Sequence, residues 1–243
     1  EKYQAKAQPD QPHRNPVYAA MIESVDQSVG RIAGKLQELG IAQRTVIFYT
    51  SDNGGLAGVT SNAPLRAGKG SPWEGGVRVP LIVLWPGVTR PGSTCSEPVI
   101  SVDFFPTIME IAGARWPTAV GQAASAELAM AAQAAAERAQ PPAIDGQSLV
   151  PLLRQSGRLK REAIFWHYPH YHPGGATPYG AVRKGDYKLI EFYEDGRLEL
   201  YNLREDVGER NNLAESMPEK ADELKRLLAR WRASVAAQMP RPN

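Results

Sequence analysis

Apolar residues near the start of the chain recur at helical spacing. Ile22, Val25, Val29, Ile32, Leu36 and Leu39 follow one another at alternating steps of three and four, and Gly40 stands where a helix stop is expected. The spacing predicts one amphipathic helix, entered from a polar, proline-bearing connector over residues 9–16. The period then changes. Val46-Ile47-Phe48-Tyr49 is a run of β-prone residues closed by Thr50-Ser51-Asp52-Asn53-Gly54-Gly55, and reads as a buried strand emptying into a loop. Leu81-Ile82-Val83-Leu84-Trp85 reads as a second strand and Val99-Ile100-Ser101-Val102 as a third. Phe104 to Ala112 reads as a helix with Pro106 in its first turn, and Asp103 is its N-cap candidate, a carboxylate placed to accept backbone N–H groups. Gln122 to Arg138 is alanine-rich, helical by propensity, and reads as an exposed insertion.

From Arg161 the pattern is that of short strands. Ala163 to Tyr168, Tyr179 to Arg183, Tyr187 to Tyr193 and Leu198 to Leu203 are β-prone runs, and Lys184-Gly185-Asp186 and Glu194-Asp195-Gly196 read as hairpin turns between them. Ser216-Met217-Pro218-Glu219 has the form of a capping box, and Leu224, Leu227, Leu228, Trp231 and Val235 mark the buried stripe of a last helix. The expected fold class is therefore α/β. A mixed sheet flanked by helices would occupy residues 1–150, with the alanine-rich insertion at about 115–142, and a four-stranded antiparallel sheet with a packed helix would occupy 151–243.

Composition removes several function classes. With 243 residues, 42% apolar and 22% charged, the chain can bury a sizeable core and does not read as disordered. A net charge of +2 without a lysine-arginine run argues against nucleic acid as a partner. Cys95 is the one cysteine, so an intrachain disulfide is impossible, and it reads as an inert or chance thiol. No apolar run approaches the ~20 residues of a membrane span. Glu1-Lys2-Tyr3-Gln4 reads as the middle of a helix, not as the opening of a signal peptide.

Candidate chemistry gathers between Thr45 and Pro80. Asp52 offers a carboxylate and Asn53 an amide carbonyl, both hard oxygen donors, and the glycines after them allow close backbone approach to an ion. The same residues are also ordinary turn formers. Lys69 lies between two glycines, and a divalent cation beside a lysine at adjacent strand ends would suit a tetrahedral anion such as sulfate or phosphate. Ala63 and Gly70 break a P-loop reading, and Trp73 breaks a Gly-x-Gly-x-x-Gly reading, so a nucleotide fold is disfavoured. Arg66 fits either an anion contact or a surface ion pair. His167-Tyr168-Pro169-His170-Tyr171-His172 holds three of the four histidines, without a Cys or nearby carboxylate to complete a zinc set.

In order along the chain, Tyr18-Ala19-Ala20-Met21-Ile22-Glu23, Val29-Gly30-Arg31-Ile32, Thr50-Ser51-Asp52-Asn53-Gly54-Gly55, Gly68-Lys69-Gly70, Trp73 to Pro80, Asp103-Phe104-Phe105-Pro106-Thr107 and Val182 to Ile190 resemble the second half of a sulfatase of the arylsulfatase type. The resemblance implies an alkaline-phosphatase-like core and hydrolysis of sulfate esters by a formylglycine nucleophile with calcium. Asp52 and Asn53 match two calcium ligands of that family. Lys69 matches the lysine that contacts the sulfate and the leaving oxygen, and His170 is the candidate contact to the alcohol or sugar of a sulfated small molecule or glycan. Cys95, in Ser93-Thr94-Cys95-Ser96-Glu97, does not match the Cys/Ser-x-Pro/Ala-x-Arg motif that matures to formylglycine. The resemblance thus implies a missing N-terminal half carrying the nucleophile, and a periplasmic or secreted setting. A phosphoesterase or phosphonate hydrolase relative and a non-catalytic binding remnant are the alternatives.

Overall fold

The computed structural model describes residues 1–114, 144–173 and 175–241. The alanine-rich helix expected over 122–138 lies outside the described residues. By residue contact the chain divides into two compact units, one of residues 1–86 with 162–243 and one of 87–161, which cuts it at other places than the expected boundary at 150.

The first unit opens with helix α1, Pro16–Glu38. Asn15 caps it by accepting the N–H groups of Val17 and Tyr18, each at 3.0 Å, and Pro16 occupies the first turn, where its missing N–H costs nothing. Gly40 ends it in the left-handed region, φ +67°, with its N–H on Gln37 O and that of Ile41 on Leu36 O. The periodicity thus locates the helix, yet no residue of α1 is buried, and Val25 and Ile32 are 46% and 60% exposed.

Strand β1, Ile47–Thr50, pairs antiparallel with β2, Leu81–Leu84, in register Ile47 to Leu84 and Thr50 to Leu81. The strand expected to be buried is half-buried at Ile47 and Phe48 and exposed at Tyr49 and Thr50, because a two-stranded ribbon has no third strand and too little packed face to cover its side chains. Between the strands runs a long loop that contains the four-residue helix α2, Glu74–Val77.

The second unit holds α3, Phe104–Ile111, and the four-residue α4, Val150–Leu153. Asp103 precedes α3 but does not cap it with its side chain. Its fully buried carboxylate accepts the N–H groups of Ile100 and Gln147, both at 2.9 Å, and pairs with Arg161. A buried carboxylate needs such partners, and here they lie outside the helix that follows it. Thr107 Oγ1 accepts the Leu149 N–H at 2.8 Å, fastening residues 144–149 to α3.

Strands β3 (Ile164–Tyr168), β4 (Tyr179–Lys184), β5 (Tyr187–Phe192) and β6 (Leu198–Asn202) form an antiparallel sheet in chain order. Gly185, φ +58°, sits in the β4–β5 turn at a backbone angle that favours glycine. Register aligns Val182, Leu189 and Leu200 on one face and Ala181, Ile190 and Glu199 on the other. The first face packs on α5, Pro218–Ser234, through Ala221, Leu224, Leu227 and Leu228, and Phe165 stacks on Trp231 at 4.8 Å and 3°. On the second face Tyr179, Ala181, Ile190, Phe192 and Tyr201 pack with Trp73 from the β1–β2 loop. Both faces being covered explains why β4 and β5 carry consecutive buried residues. Two details of α5 differ from expectation. Its N-cap is Met217, without a side-chain cap bond, while Ser216 Oγ turns back to Leu213 O. Val235 lies past its end and is 46% exposed.

Candidate functional site

The β1–β2 loop and the turn after β1 are joined mainly by backbone. Thr50 Oγ1 donates to Pro80 O, Gly54 N–H to Gly76 O and Lys69 N–H to Gly55 O, at 2.9, 2.9 and 3.0 Å. Asn62, which the sequence did not single out, is the hub. Its Oδ1 accepts the Gly55 N–H at 2.9 Å, and its Nδ2 donates to Gly55 O and Ala67 O at 2.8 and 2.9 Å. A side chain at Gly54 would place its Cβ 1.7 Å from Gly75 O, and one at Gly68 would reach 2.3 Å from Gly55 O, so only glycine lets these segments meet. The segment carrying Lys69 is therefore hydrogen-bonded to the turn carrying Asp52 and Asn53.

Asp52 and Lys69 are exposed and Asn53 is half-buried. Ser51 Oγ donates to Asn53 O at 3.0 Å, and Asn53 Nδ2 donates to Gly54 O at 3.1 Å. The Asn53 side-chain nitrogen is used in this bond, and its carbonyl oxygen is the side chain's acceptor atom. Among the described residues no three His, Cys, Asp or Glu side chains gather as a metal-ion set. Two clefts, of about 740 and 650 Å³, form between the connector over 10–16, α1 and residues 58–61, and neither is lined by Asp52, Asn53 or Lys69.

The histidines of β3 and its following loop separate into different roles. His167 has both ring nitrogens engaged, Nδ1 with Tyr193 Oη and Nε2 with Gln238 O, each at 2.8 Å. His170 is exposed and stands edge-on to Tyr168 at 5.7 Å. His172, which the sequence did not distinguish from its neighbours, lies against Gly70, where a Cβ would fall 2.2 Å from its Nδ1. It is thus the histidine that the structure places next to the Lys69 segment, and a contact across a hundred residues leaves no local signal from which to find it.

Beneath this loop lies a buried ionic cluster. Lys188 of β5 is fully buried, with its Nζ 2.9 Å from Glu74 Oε1 and 2.9 Å from Glu209 Oε1. Glu209 Oε2 accepts the Glu74 N–H at 2.6 Å. Burial pushes the Glu209 carboxyl above its ordinary range, against the pull of Lys188. Arg66 donates to Tyr201 Oη and Glu209 O, both at 2.9 Å, and lies over the Trp73 ring at 4.1 Å, while the Trp73 indole N–H donates to Glu199. Arg66 therefore serves to fasten the loop to the sheet. Burial and the bond to Glu199 raise the Tyr201 phenol.

Comparison with known proteins gives the family. The sulfatase family model matches residues 1–114, and that of the N-sulphoglucosamine sulphohydrolase C-terminal region matches 123–234. The chain is 38% identical over 233 residues to a sulfatase of Formosa agariphila, covering 89% of this chain and 38% of that protein. To the steryl-sulfatase of Mus musculus it is 31% identical, covering 93% and 38%. A solved structure of a protein in complex with its substrate D-glucosamine-2-N,6-O-disulfate superposes with a TM-score of 0.68 at 28% identity, over 93% of this chain and 41% of that one. The chain thus spans well under half the length of each.

Proposed function

The chain belongs to the sulfatase family, and from that premise we propose that it forms part of a sulfuric ester hydrolase acting on a sulfated sugar or small molecule. In this reading Lys69 is the catalytic and substrate-binding cation, Asp52 and Asn53 are two ligands of a calcium ion, and His170 touches the alcohol or sugar portion. The observation that carries it is the bond from Lys69 N–H to Gly55 O, which joins the ammonium-bearing segment to the turn with the two oxygen donors.

Asp52 and Asn53 would hold the calcium ion, which would supply positive charge to offset the negative charge of the sulfate oxygens. The Lys69 ammonium donates hydrogen bonds to the sulfate and to the ester oxygen, whose negative charge grows as the sulfur–oxygen bond breaks. Asp52 contributes a full negative charge and Asn53 a neutral dipole, so the pair holds a dication without cancelling it. The nucleophile, which in this family is a formylglycine, is assigned to polypeptide outside these residues, since no Cys/Ser-x-Pro/Ala-x-Arg occurs in the chain. A sulfated sugar is the favoured substrate class because a relative of 28% identity has been solved with one.

The test is turnover of an aryl sulfate by a formylglycine-matured polypeptide that carries this chain. Lys69→Ala is expected to lower kcat by about 10²–10³-fold, the cost of removing one preorganised donor. Asp52→Ala is expected to raise the calcium concentration needed for half-activity. Unchanged rates in both variants would refute the assignment.

A further inference from the structure

The loop that carries Lys69 is bounded by two residues that both bind Glu209. At one end, Arg66 donates from its guanidinium to the backbone oxygen of Glu209; at the other, Glu74 donates its N–H to the Glu209 carboxylate. Gly75 N–H donates to Arg66 O at 2.9 Å, closing the loop on itself beside the residue that binds that carboxylate. The second carboxylate oxygen of Glu209 meets Lys188, which also holds Glu74.

Glu209 occupies this place at some expense. It is fully buried and its φ is +51°, a left-handed backbone angle that costs a non-glycine residue on the order of 1 kcal/mol. The turn around it is set by Asp206, whose O accepts the Glu209 N–H and whose carboxylate accepts those of Arg210 and Asn211. Buried charge clusters are poor sources of net stability, because desolvation offsets most of their attraction, and well-packed apolar residues often serve as well. What such a cluster does supply is direction: each bond has a defined length and a defined partner.

We propose that Glu209 is a positioning residue for the sulfate site, fixing the separation of Arg66 and Glu74 and through them the place of Lys69. This rests on the reading of Lys69 as the anion-contacting residue. The C-terminal sheet then has a share in the chemistry, although no residue of β5 or β6 needs to touch substrate.

The experiment is residue-resolved hydrogen exchange on the full chain, with inorganic sulfate titrated into the same samples and followed at the amides of Gly68, Lys69 and Gly70. The variants are Glu209→Asp, which keeps the charge but shortens the reach, and Glu209→Gln, which keeps the reach and an acceptor oxygen but removes the charge. Glu209→Asp is expected to speed exchange at the Lys69 and Gly75 amides about tenfold, with Leu189 and Val182 unchanged, and to weaken the response to sulfate. Glu209→Gln is expected to restore most of the protection. Exchange at Lys69 and Gly75 that stays within twofold of the parent in Glu209→Asp, or that speeds up equally in β4 and β5, would overturn the proposal. Absence of any sulfate response in the parent chain would instead remove the reading of Lys69, while the exchange data would still decide the role of Glu209.

Discussion

Tyr179 shows how far a single side chain can be moved by the sheet around it. Burial, with smaller contributions from Tyr168 and Tyr193, pushes its phenol up to about 12. A group whose folded value is raised adds stability that is complete below the unfolded value near 10 and is lost as pH rises through the folded value. We expect a spectrophotometric titration to find this phenol still protonated at pH 11, and stability to fall between pH 10 and 12 by an amount on the order of 3 kcal/mol. Tyr179→Phe should remove this residue's share of the alkaline loss and leave the share of Tyr201, whose phenol is also raised. Lys188 is the opposite lesson in legibility. In the sequence it reads as an ordinary polar residue in a strand, and only the juxtaposed Leu189 and Ile190, both fully buried, hint that neither face of β5 meets water. Its two carboxylates come from 114 residues before it and 21 after, beyond the reach of any local pattern.

Elements were legible where the signal is local. The stop at Gly40, the turn at Gly185 and the stripe of Leu224, Leu227 and Leu228 need only neighbouring residues, and the structure has all three. Caps were less so: Ser216 and Asp103 have the right residue types, yet the first bonds back to Leu213 and the second is claimed by Gln147 and Arg161. Competition from tertiary partners decides such cases. In the candidate site, the Asp52, Asn53 and Lys69 segments could be picked out in sequence because glycines flank them, whereas Asn62 and His172 act through contacts that spacing does not encode. For α5 the packing predicts a steep contrast. Leu228→Ala, at a fully buried position, should cost about 2–5 kcal/mol by urea unfolding, and Val235→Ala within about 0.5 kcal/mol of nothing.

For the whole molecule the uneven distribution of core matters most. Residues of the four-stranded sheet and α5 are deeply packed, while Met21, Ile22, Val25 and Ile32 of α1 and Ile82 and Leu84 of β2 are all more than 40% exposed. Contiguous exposed apolar surface favours association. Sedimentation of the chain should accordingly show weight-average mass rising with concentration, and the double variant Val25→Glu, Ile32→Glu should suppress that rise without loss of the sheet's circular dichroism. No helix of the described residues is long and apolar enough to cross a membrane.

The meeting of Gly54 with Gly75, peptide group against peptide group, has an evolutionary corollary. A frame written largely in main chain tolerates change in most of the side chains around it. Exposed positions such as Leu56 and Ala57 can therefore drift while the frame stays in place, whereas the glycines and Asn62, whose amide ties Gly55 to Ala67, are barred from change.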